Sequence, residues 1–259
     1  MVDMTIKRGE MDLHEVLSQD RLYVAVDILF LTVYGERLRV LVSKRTQPPF
    51  AEKLALPGRL VEINESAETA VNLLAKEMLN IGRRYMEQLY TFTDIKRDPR
   101  GRVISISYLI VVPWTEIEAL PEERKQAMHL LEVTEENGRL LLCEEGGKEL
   151  HESDLAFDHW RIIRTGIQRI RGKLNYTPIG FAFVRDPNAF SLSEVQTIYE
   201  AILGKPQDPS NFRRQILKQY EMSGAIRQTE KTGSRRRGRP AVLYQWNDRG
   251  KTEWQKENI

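Results

Sequence analysis

The chain has 259 residues, which is enough for two domains that each bury a core. Hydrophobic residues make up 41% of the chain and charged residues 29%, so the composition excludes a generally disordered protein. No apolar run approaches the length of a membrane span, and the N-terminus lacks the hydrophobic region of a signal peptide. With the single cysteine, Cys143, these features predict a cytoplasmic protein without disulfide bonds or membrane association.

The net charge of +2 conceals a difference between the two parts of the chain. Residues 1–204 hold 26 basic and 31 acidic side chains, a net of −5, whereas residues 205–259 hold 13 basic and 6 acidic side chains, a net of +7. A small basic part joined to an acidic body predicts a module that binds a polyanion.

Strands and a helix are predicted in the N-terminal half. Residues 23–45 are rich in β-branched and aromatic residues and predict two strands joined at Gly35-Glu36. Apolar residues recur at helical spacing from residue 68 to residue 81, which predicts a helix. Residues 85–92 and 103–112 predict two more strands, with a turn at residues 98–101 between them.

The next segment, residues 116–153, is acidic, and we expect it to be rich in loops, with one strand at Leu140–Cys143. We interpret its acidic part, residues 122–153, as a surface insertion. Isoleucines spaced by three or four residues then predict a long helix over residues 155–174. The chain changes character after this helix, so we predict a domain of residues 1–174 and a second domain of residues 175–259.

Two helices joined by a short turn are predicted in the second domain. Ser191 and Glu194 form a capping box before the first helix, and Gly204 ends it. The second helix, residues 211–222, alternates an apolar face with an Arg/Asn/Gln/Lys face, and these side-chain types recognise bases and phosphates. The residues predicted to contact DNA here are Ser210, Asn211, Arg213, Arg214, Gln215 and Lys218. Arg213 lies nearer the buried flank of the helix, so a structural role is its alternative.

Residues 225–246 predict a β-hairpin with a basic tip, which would make the second domain a winged helix-turn-helix. The tip residues predicted to contact phosphates or a minor groove are Arg235, Arg236, Arg237 and Arg239. The alternative to DNA binding, for any single helix with a polar face, is that this face is simply exposed to solvent. The helix pair, the hairpin and the charge asymmetry agree on nucleic-acid binding, and the absence of a platform of stacking aromatics favours duplex DNA over RNA.

The stretch from residue 54 to residue 82 resembles the signature of the Nudix hydrolases, which consists of a glycine, a loop glutamate and a glutamate-rich helix. The resemblance places Arg59 at the signature glycine and Glu65 at the loop glutamate. In the helix, Leu73 and Leu74 replace an Arg-Glu pair, and Met78 follows Glu77 where a Glu-Glu pair is usual. Positions 74, 77 and 78 share one helix face, and leucine and methionine offer no oxygen ligand to Mg²⁺. We therefore expect no catalytic residues, no metal ligands and no cofactor.

A Nudix-like domain followed by a winged helix resembles the Nudix-related transcriptional regulators, typified by the bacterial regulators of NAD metabolism. Matching stretches run nearly end to end, among them VDILFL, SKRTQPPF, LPGRLV, LAFDH and GRPAVLY. The resemblance implies an α+β chain with an N-terminal Nudix-like α/β/α sandwich around a mixed sheet. It also implies a homodimer that binds DNA and an effector, either ADP-ribose-like or a sugar, in the Nudix pocket. The residues that it implies for this pocket are Lys44, Arg45, Phe50, Arg59, Glu65, Asp158 and His159.

We therefore predict a transcriptional regulator, a repressor, that binds a palindromic operator and is controlled by a small metabolite. Two other hypotheses remain at this point. One is an active Nudix pyrophosphohydrolase of ADP-ribose-type substrates fused to a DNA-binding module. The other is a general nucleic-acid-binding protein without effector control. The identity of the effector, the direction of its action and the regulated genes do not follow from the sequence.

Overall fold

The structure, a computed structural model, describes residues 22–80, 85–233 and 241–247. The first strands and helix are β1 (Leu22–Tyr34), β2 (Arg37–Lys44), β3 (Leu54–Ala55), β4 (Gly58–Leu60) and α1 (Ala67–Leu79). They are followed by β5 (Met86–Phe92), β6 (Arg102–Val111), α2 (Trp114–Glu118), α3 (Glu122–Gln126), β7 (His129–Glu136), β8 (Arg139–Cys143), β9 (Glu149–Leu150) and α4 (His159–Lys173). The C-terminal elements are β10 (Phe190–Ser191), α5 (Leu192–Leu203), α6 (Pro209–Ile216), β11 (Ile226–Gly233) and β12 (Ala241–Trp246).

A mixed sheet forms the centre of the N-terminal part, with the strand order β5-β6-β1-β2-β7-β8-β9 in the described residues. Strand β1 pairs in parallel with β6 and antiparallel with β2, while the short strands β3 and β4 pair with β2 and β1. Both faces of β1 are buried, because Val26, Ile28 and Phe30 pack under α1 and the alternate residues Leu29 and Leu31 face α4. The predicted sandwich of helix, mixed sheet and helix is therefore confirmed.

Helix α4 lies close to the sheet because a glycine faces the strands. A Cβ atom at Gly166 would lie 2.0 Å from Cδ2 of Leu29, so any side chain there would push the helix away. Around this contact the isoleucines of α4, at positions 162, 163, 167 and 170, are fully buried. The periodicity that predicted this helix is thus the periodicity of its contact with the sheet.

The prediction of a loop-rich segment at residues 116–153 was wrong. Strand β7 pairs with β2 from Arg39↔Glu132 to Val42↔His129, and β8 and β9 extend the same sheet. The acidic segment is therefore part of the sheet and not a surface insertion. Strand β7 was missed because its glutamates alternate with Leu131 and Val133, whose side chains alone are buried. A strand with one solvent-exposed face contains few apolar residues, so its sequence pattern is weak.

The C-terminal part is a winged helix of two helices and a three-stranded sheet, in the order β10-β12-β11. The predicted capping box is only half formed: Ser191 accepts the N–H of Glu194, but the Glu194 carboxylate accepts the N–H of Arg185 instead of the N–H of Ser191. The second helix begins two residues earlier than predicted, at Pro209, because Asp208 caps it. It changes to a π-helical turn at Leu217–Glu221.

The two parts share one hydrophobic core. Buried residues of α5, such as Val195 and Ile202, belong to the same cluster as Leu38 and Val40 of the N-terminal sheet. At the end of α4, Arg171 donates to the carbonyl of Ile202 in α5 at 2.9 Å and also pairs with Glu135 of β7. The N-terminal sheet and the winged helix are therefore linked directly, by side-chain packing and by the contacts of Arg171. No helix in the described ranges is both long enough and apolar enough to cross a membrane.

Candidate effector pocket and nucleic-acid interface

A cavity of 160 Å³ lies beside β1 and β4, where the loop before β6 and the start of α4 converge. Its polar and aromatic lining residues are Asp27, Arg45, Arg59, Arg97, Asp98, Arg100, Phe157 and His159. Four arginines on three separate segments converge on one small space, and such a set of guanidinium groups suits an anionic ligand.

A buried charge network forms the floor of the cavity. The Arg97 guanidinium donates to Asp27 at 3.1 Å and holds Asp158 with two hydrogen bonds of 2.8 and 3.2 Å. The hydroxyl of Ser105 donates to Asp27 at 2.5 Å, and Nε2 of His159 lies 3.6 Å from the same carboxylate. Burial raises the pKa of Asp27, but His159, Ser105 and Arg97 outweigh it and bring that pKa to about 2.

The tight turn before β4 is fixed by this network. The backbone N–H of Leu56 donates to Nδ1 of His159 at 2.9 Å, so the remaining ring proton lies on Nε2 and faces Asp27. A Cβ atom at Gly58 would lie 2.2 Å from Oδ1 of Asp27, which leaves glycine as the only residue that fits. The Leu-Pro-Gly turn is thus part of the pocket wall.

The rim of the cavity holds a stack of cations on one aromatic ring. The guanidinium carbons of Arg45 and Arg100 lie 4.8 and 5.5 Å from the centre of the Phe157 ring. Asp98 holds Arg100 with two hydrogen bonds of 3.0 and 2.7 Å, and these bonds outweigh burial to lower the pKa of Asp98. Arg45 donates only to the carbonyls of residues 49 and 47, and among the described residues it has no carboxylate partner. Burial and the Arg100 charge lower the pKa of Arg45.

Two phenylalanines at this rim hold backbone conformations that bulky side chains rarely adopt. Phe50 has a φ of 63° and Phe157 a φ of 53°, and their rings meet edge to face with centroids 4.9 Å apart. Such local strain is concentrated at ligand sites in folded proteins. In this backbone conformation the Phe157 ring lies against the guanidinium groups of Arg45 and Arg100.

The signature helix does not form a metal site. Leu74 is buried under the sheet, and Met78 packs partly against the same core, whereas Glu77 is exposed. The loop residue Glu65 is held by Arg59, with contacts of 3.0 and 3.3 Å to its two carboxylate oxygens. In the described part of the chain no three acidic, histidine or cysteine side chains are grouped as metal ligands. The residues present therefore do not fit the divalent cation that the Nudix fold implies.

The residues predicted for the effector are distributed in and around this cavity. Arg45, Arg59 and His159 line it directly. Asp158 and Glu65 do not line the cavity themselves, but they bind the lining residues Arg97 and Arg59, respectively. The two remaining residues are at the outer rim: Phe50 packs on Phe157, and Lys44 is exposed and paired with Glu52.

Five lining residues were not identified from the sequence, namely Asp27, Arg97, Asp98, Arg100 and Phe157. A signal existed for Asp27, because it is the only charged residue within the apolar run of β1. Arg97, Asp98 and Arg100 lie in the segment KRDPRG, which the sequence analysis interpreted only as a turn. The carboxylate partners of Arg97 are 61 and 70 residues away in the chain, which local patterns do not reveal.

A second groove of 510 Å³ lies between β8 and α4 and is lined by residues that include Trp160, Arg164 and Arg171. It is larger than the first cavity but lies away from the signature loop and helix. Arg171 there is already held by Ile202 and Glu135, and it joins the two parts of the chain. The smaller cavity, where the arginines converge, is therefore the candidate effector pocket.

Helix α6 presents a polar face and a buried face, as predicted. Phe212, Ile216 and Tyr220 are buried in the winged helix, and Leu217 packs partly against the same core. The exposed side chains are those of Ser210, Asn211, Arg213, Arg214, Gln215 and Lys218. Arg214 donates to the side-chain oxygen of Asn211 at 2.7 Å, which places both groups together on the exposed face. Arg213 reaches back toward the Tyr244 hydroxyl at 3.5 Å, in keeping with its position near the buried flank.

The predicted tip arginines, Arg235, Arg236, Arg237 and Arg239, lie outside the described residues. The two strands that flank them, β11 and β12, pair antiparallel from Ile226↔Trp246 to Gly233↔Ala241. The predicted hairpin is therefore confirmed, while contacts of its tip with DNA stay a prediction.

Fold and site together define a Nudix-like domain joined to a DNA-binding winged helix. Residues 187–246 match the family described as the NrtR DNA-binding winged helix domain. The chain is similar to the ADPR responsive transcriptional repressor NtrR of Acinetobacter baylyi, with 28% identity over 86% of this chain and 81% of that protein. It also matches an ADP-ribose pyrophosphatase of Methanocaldococcus jannaschii, with 33% identity over 40% of this chain and 61% of that enzyme.

Solved structures match over most of the chain. The crystal structure of Shewanella oneidensis NrtR complexed with a 27mer DNA has 26% identity and a TM-score of 0.66, and the match covers 88% of this chain and 95% of that one. A MutT/nudix family protein from Enterococcus faecalis has 26% identity and a TM-score of 0.70, covering 92% and 95%. The chain is thus similar over most of its length to an NrtR-type regulator, and residues 187–246 match a winged helix domain of that type.

Proposed function

We propose that this chain is a transcriptional repressor whose winged helix binds an operator and whose Nudix-like domain binds a small anionic effector. The single observation that carries the effector part is Arg45, a guanidinium on an aromatic ring without a carboxylate partner among the described residues. The exposed face of α6 and the NrtR-type winged helix support the DNA part. A cytoplasmic homodimer on a palindromic operator, with half-sites about one or two helical turns apart, completes the proposal.

An ADP-ribose-like effector is favoured by the similarity to an ADPR responsive repressor, and the arginine cluster suits its diphosphate. The cavity has a volume of 160 Å³, which is small compared with the roughly 300–1,000 Å³ of pockets that bind drug-sized ligands. An ADP-ribose-like molecule must therefore displace part of the rim, whereas a phosphorylated sugar fits with less movement. Because the sheet and α5 share one core, displacement of the rim offers a route for a signal to the winged helix.

Fluorescence anisotropy with the DNA upstream of its own operon tests this function. We expect salt-sensitive binding with a preference for one palindrome, and a change in affinity when ADP-ribose, NAD, NMN or a phosphorylated pentose is added. Binding without sequence preference would contradict the regulator. Sequence-selective binding without any response in this screen would leave a DNA-binding protein and remove the effector part of the proposal.

Hydrolysis is the second candidate function, because 40% of the chain matches an ADP-ribose pyrophosphatase with 33% identity. We infer that the pocket binds without turnover, since Leu74 is buried, Met78 has no oxygen ligand and Glu65 is held by Arg59. We expect no release of AMP from ADP-ribose with Mg²⁺ or Mn²⁺, measured by chromatography over hours. Turnover that disappears in Glu77→Gln would establish the enzyme instead.

Arg214→Ala is expected to weaken specific operator binding by about 1–3 kcal/mol and to relax the preference at one base pair. The reason is that Arg214 lies beside Asn211 on the exposed face of α6, where a guanidinium can donate two hydrogen bonds to a guanine. Competition with operators mutated at one position at a time measures both effects.

The matched contrast is Arg236→Ala, at the predicted wing tip. This change should weaken binding to all sequences alike and lower the slope of affinity against salt concentration, because a phosphate contact carries no base information. A change of sequence preference in Arg236→Ala, or a uniform loss in Arg214→Ala, would reverse the two assignments.

A further inference from the structure

Arg59 occupies the position of the signature glycine, and its side chain contacts Glu65, the loop glutamate of the signature. Nη2 of Arg59 lies 3.0 Å from Oε1 of Glu65 and 3.1 Å from the carboxylate of Glu62, and Nη1 lies 3.3 Å from Oε2 of Glu65. Oε1 of Glu65 also accepts the N–H of Glu62 at 2.8 Å. Both oxygens of Glu65 are therefore engaged, and its side chain is only 10% exposed.

The same guanidinium group faces the effector cavity. Strand β4 places Arg59 opposite Val26 of β1, one residue from Gly58, which touches Asp27. Arg59 lines the cavity together with Arg45. Its Nε–H has no acceptor among the described residues, so donors remain for a ligand after Glu65 and Glu62 are satisfied.

The geometry points to Arg59 as an internal substitute for the divalent cation of a Nudix site, so that this pocket binds a diphosphate as the metal-free anion. The inference rests on the proposed effector site and specifies how that site recognises its ligand. One carboxylate, Glu65, holds the guanidinium group, as a carboxylate would hold a metal ion in a hydrolase. The guanidinium group then offers its remaining donors to the phosphates.

The physical consequences of this exchange differ from those of a bound ion. A guanidinium group is attached to the chain, so the affinity for the ligand is independent of the metal concentration. It carries no bound water whose pKa it could lower, and it therefore supplies no nucleophile for attack on the diphosphate. A pocket built this way binds the ligand and leaves it intact, which is what a sensor requires.

Calorimetric titration with inorganic pyrophosphate in excess EDTA tests the inference without assuming which effector is natural. We expect the unaltered chain to bind pyrophosphate in EDTA, and MgCl₂ should not strengthen this binding, because Mg²⁺ complexes the free anion in solution. Arg59→Ala should lose roughly 10- to 100-fold in affinity, the loss typical of one charge-assisted contact, while Arg59→Lys retains part of it. Stronger binding in MgCl₂ than in EDTA, absence of pyrophosphate binding in EDTA, or an unaffected Arg59→Ala variant would each overturn the inference.

The removal of Arg59 also exposes the negative charge of Glu65, so a second variant separates the two effects. In the double variant Arg59→Ala with Glu65→Gln, affinity should stay as low as in Arg59→Ala, because the donors of the guanidinium group are missing. Restored binding in the double variant would show that Arg59 only masks a repulsive carboxylate. Each variant is first compared by thermal unfolding, so that loss of fold is not taken for loss of binding.

Manganese binding provides an independent arm. Electron paramagnetic resonance of free Mn²⁺ should detect no stoichiometric binding site in the unaltered chain. A Mn²⁺ site that disappears in Glu65→Gln would overturn the inference that Arg59 replaces the metal ion. If pyrophosphate binds in EDTA but ADP-ribose does not, the inference about Arg59 is supported and the proposal of an ADP-ribose-like effector is contradicted. The two proposals can therefore fail separately.

Discussion

Asp27→Asn is expected to lower the free energy of unfolding by about 3 kcal/mol, the largest stability effect of any single change at the pocket. The carboxylate is buried and receives the Arg97 guanidinium, the Ser105 hydroxyl and the ring of His159. Its loss leaves Arg97 with Asp158 alone, in a place that water does not reach. Urea unfolding at neutral pH, followed by circular dichroism, measures the difference.

The matched control is Glu52→Gln, which removes an exposed carboxylate from its pair with Lys44 and should cost less than about 1 kcal/mol. A double-mutant cycle with Arg97→Met tests the origin of the effect. If the charge pair is responsible, the double variant should be less destabilised than the sum of the single variants. Additive losses within about 0.5 kcal/mol would mean that the two side chains act independently.

The pH dependence of stability gives a second measurement on the same carboxylate. The pKa of Asp27 is about 2 in the folded chain against an ordinary 3.8, so the folded state holds fewer protons than the unfolded state between these values. The stabilisation from Asp27 is fully present above pH 3.8 and is lost as the pH falls through about 2. In Asp27→Asn, this part of the acid sensitivity, roughly 2 kcal/mol, should be absent.

The sequence predicted the fold well where periodicity was strong. The buried run of β1, the helical spacing of α1 and the isoleucines of α4 each correspond to a face that packs on the sheet. Strand β7 was missed because three of its eight residues are glutamates and only Leu131 and Val133 are buried, so its pairing with β2 and β8 defines it. Regular structure that depends on a distant partner leaves a weak local pattern.

The pocket was predictable only in part, for a similar reason. Arg59 and Glu65 are six residues apart in a recognisable signature, and the structure brings them into contact. Asp27 and Arg97 are seventy residues apart, and the carboxylate is explained only once Arg97 is placed above it. A charged residue inside an apolar strand was the available signal. It indicates that a partner exists without showing which residue it is.

Arg45→Ala is expected to reduce effector affinity by roughly 10- to 100-fold, with no loss of operator binding in the absence of effector. Asp98 and Arg100 satisfy each other, and Arg97 is held by Asp27 and Asp158. Arg45 has only backbone acceptors and the Phe157 ring among the described residues, so its charge is the one most available to an anion. Isothermal titration with ADP-ribose and anisotropy on the operator measure the two activities.

The control is Arg37→Ala, at the start of β2, whereas Arg45 follows the end of that strand; Arg37 is exposed and pairs with Glu132. It should leave effector affinity unchanged, because it removes the same side chain at a distance from the cavity. If Arg45→Ala and Arg37→Ala bind ADP-ribose equally well, the anion does not reach the Phe157 rim. If Arg45→Ala binds the effector weakly but its operator complex still responds at high effector concentration, then Arg45 determines affinity and is not required for the response.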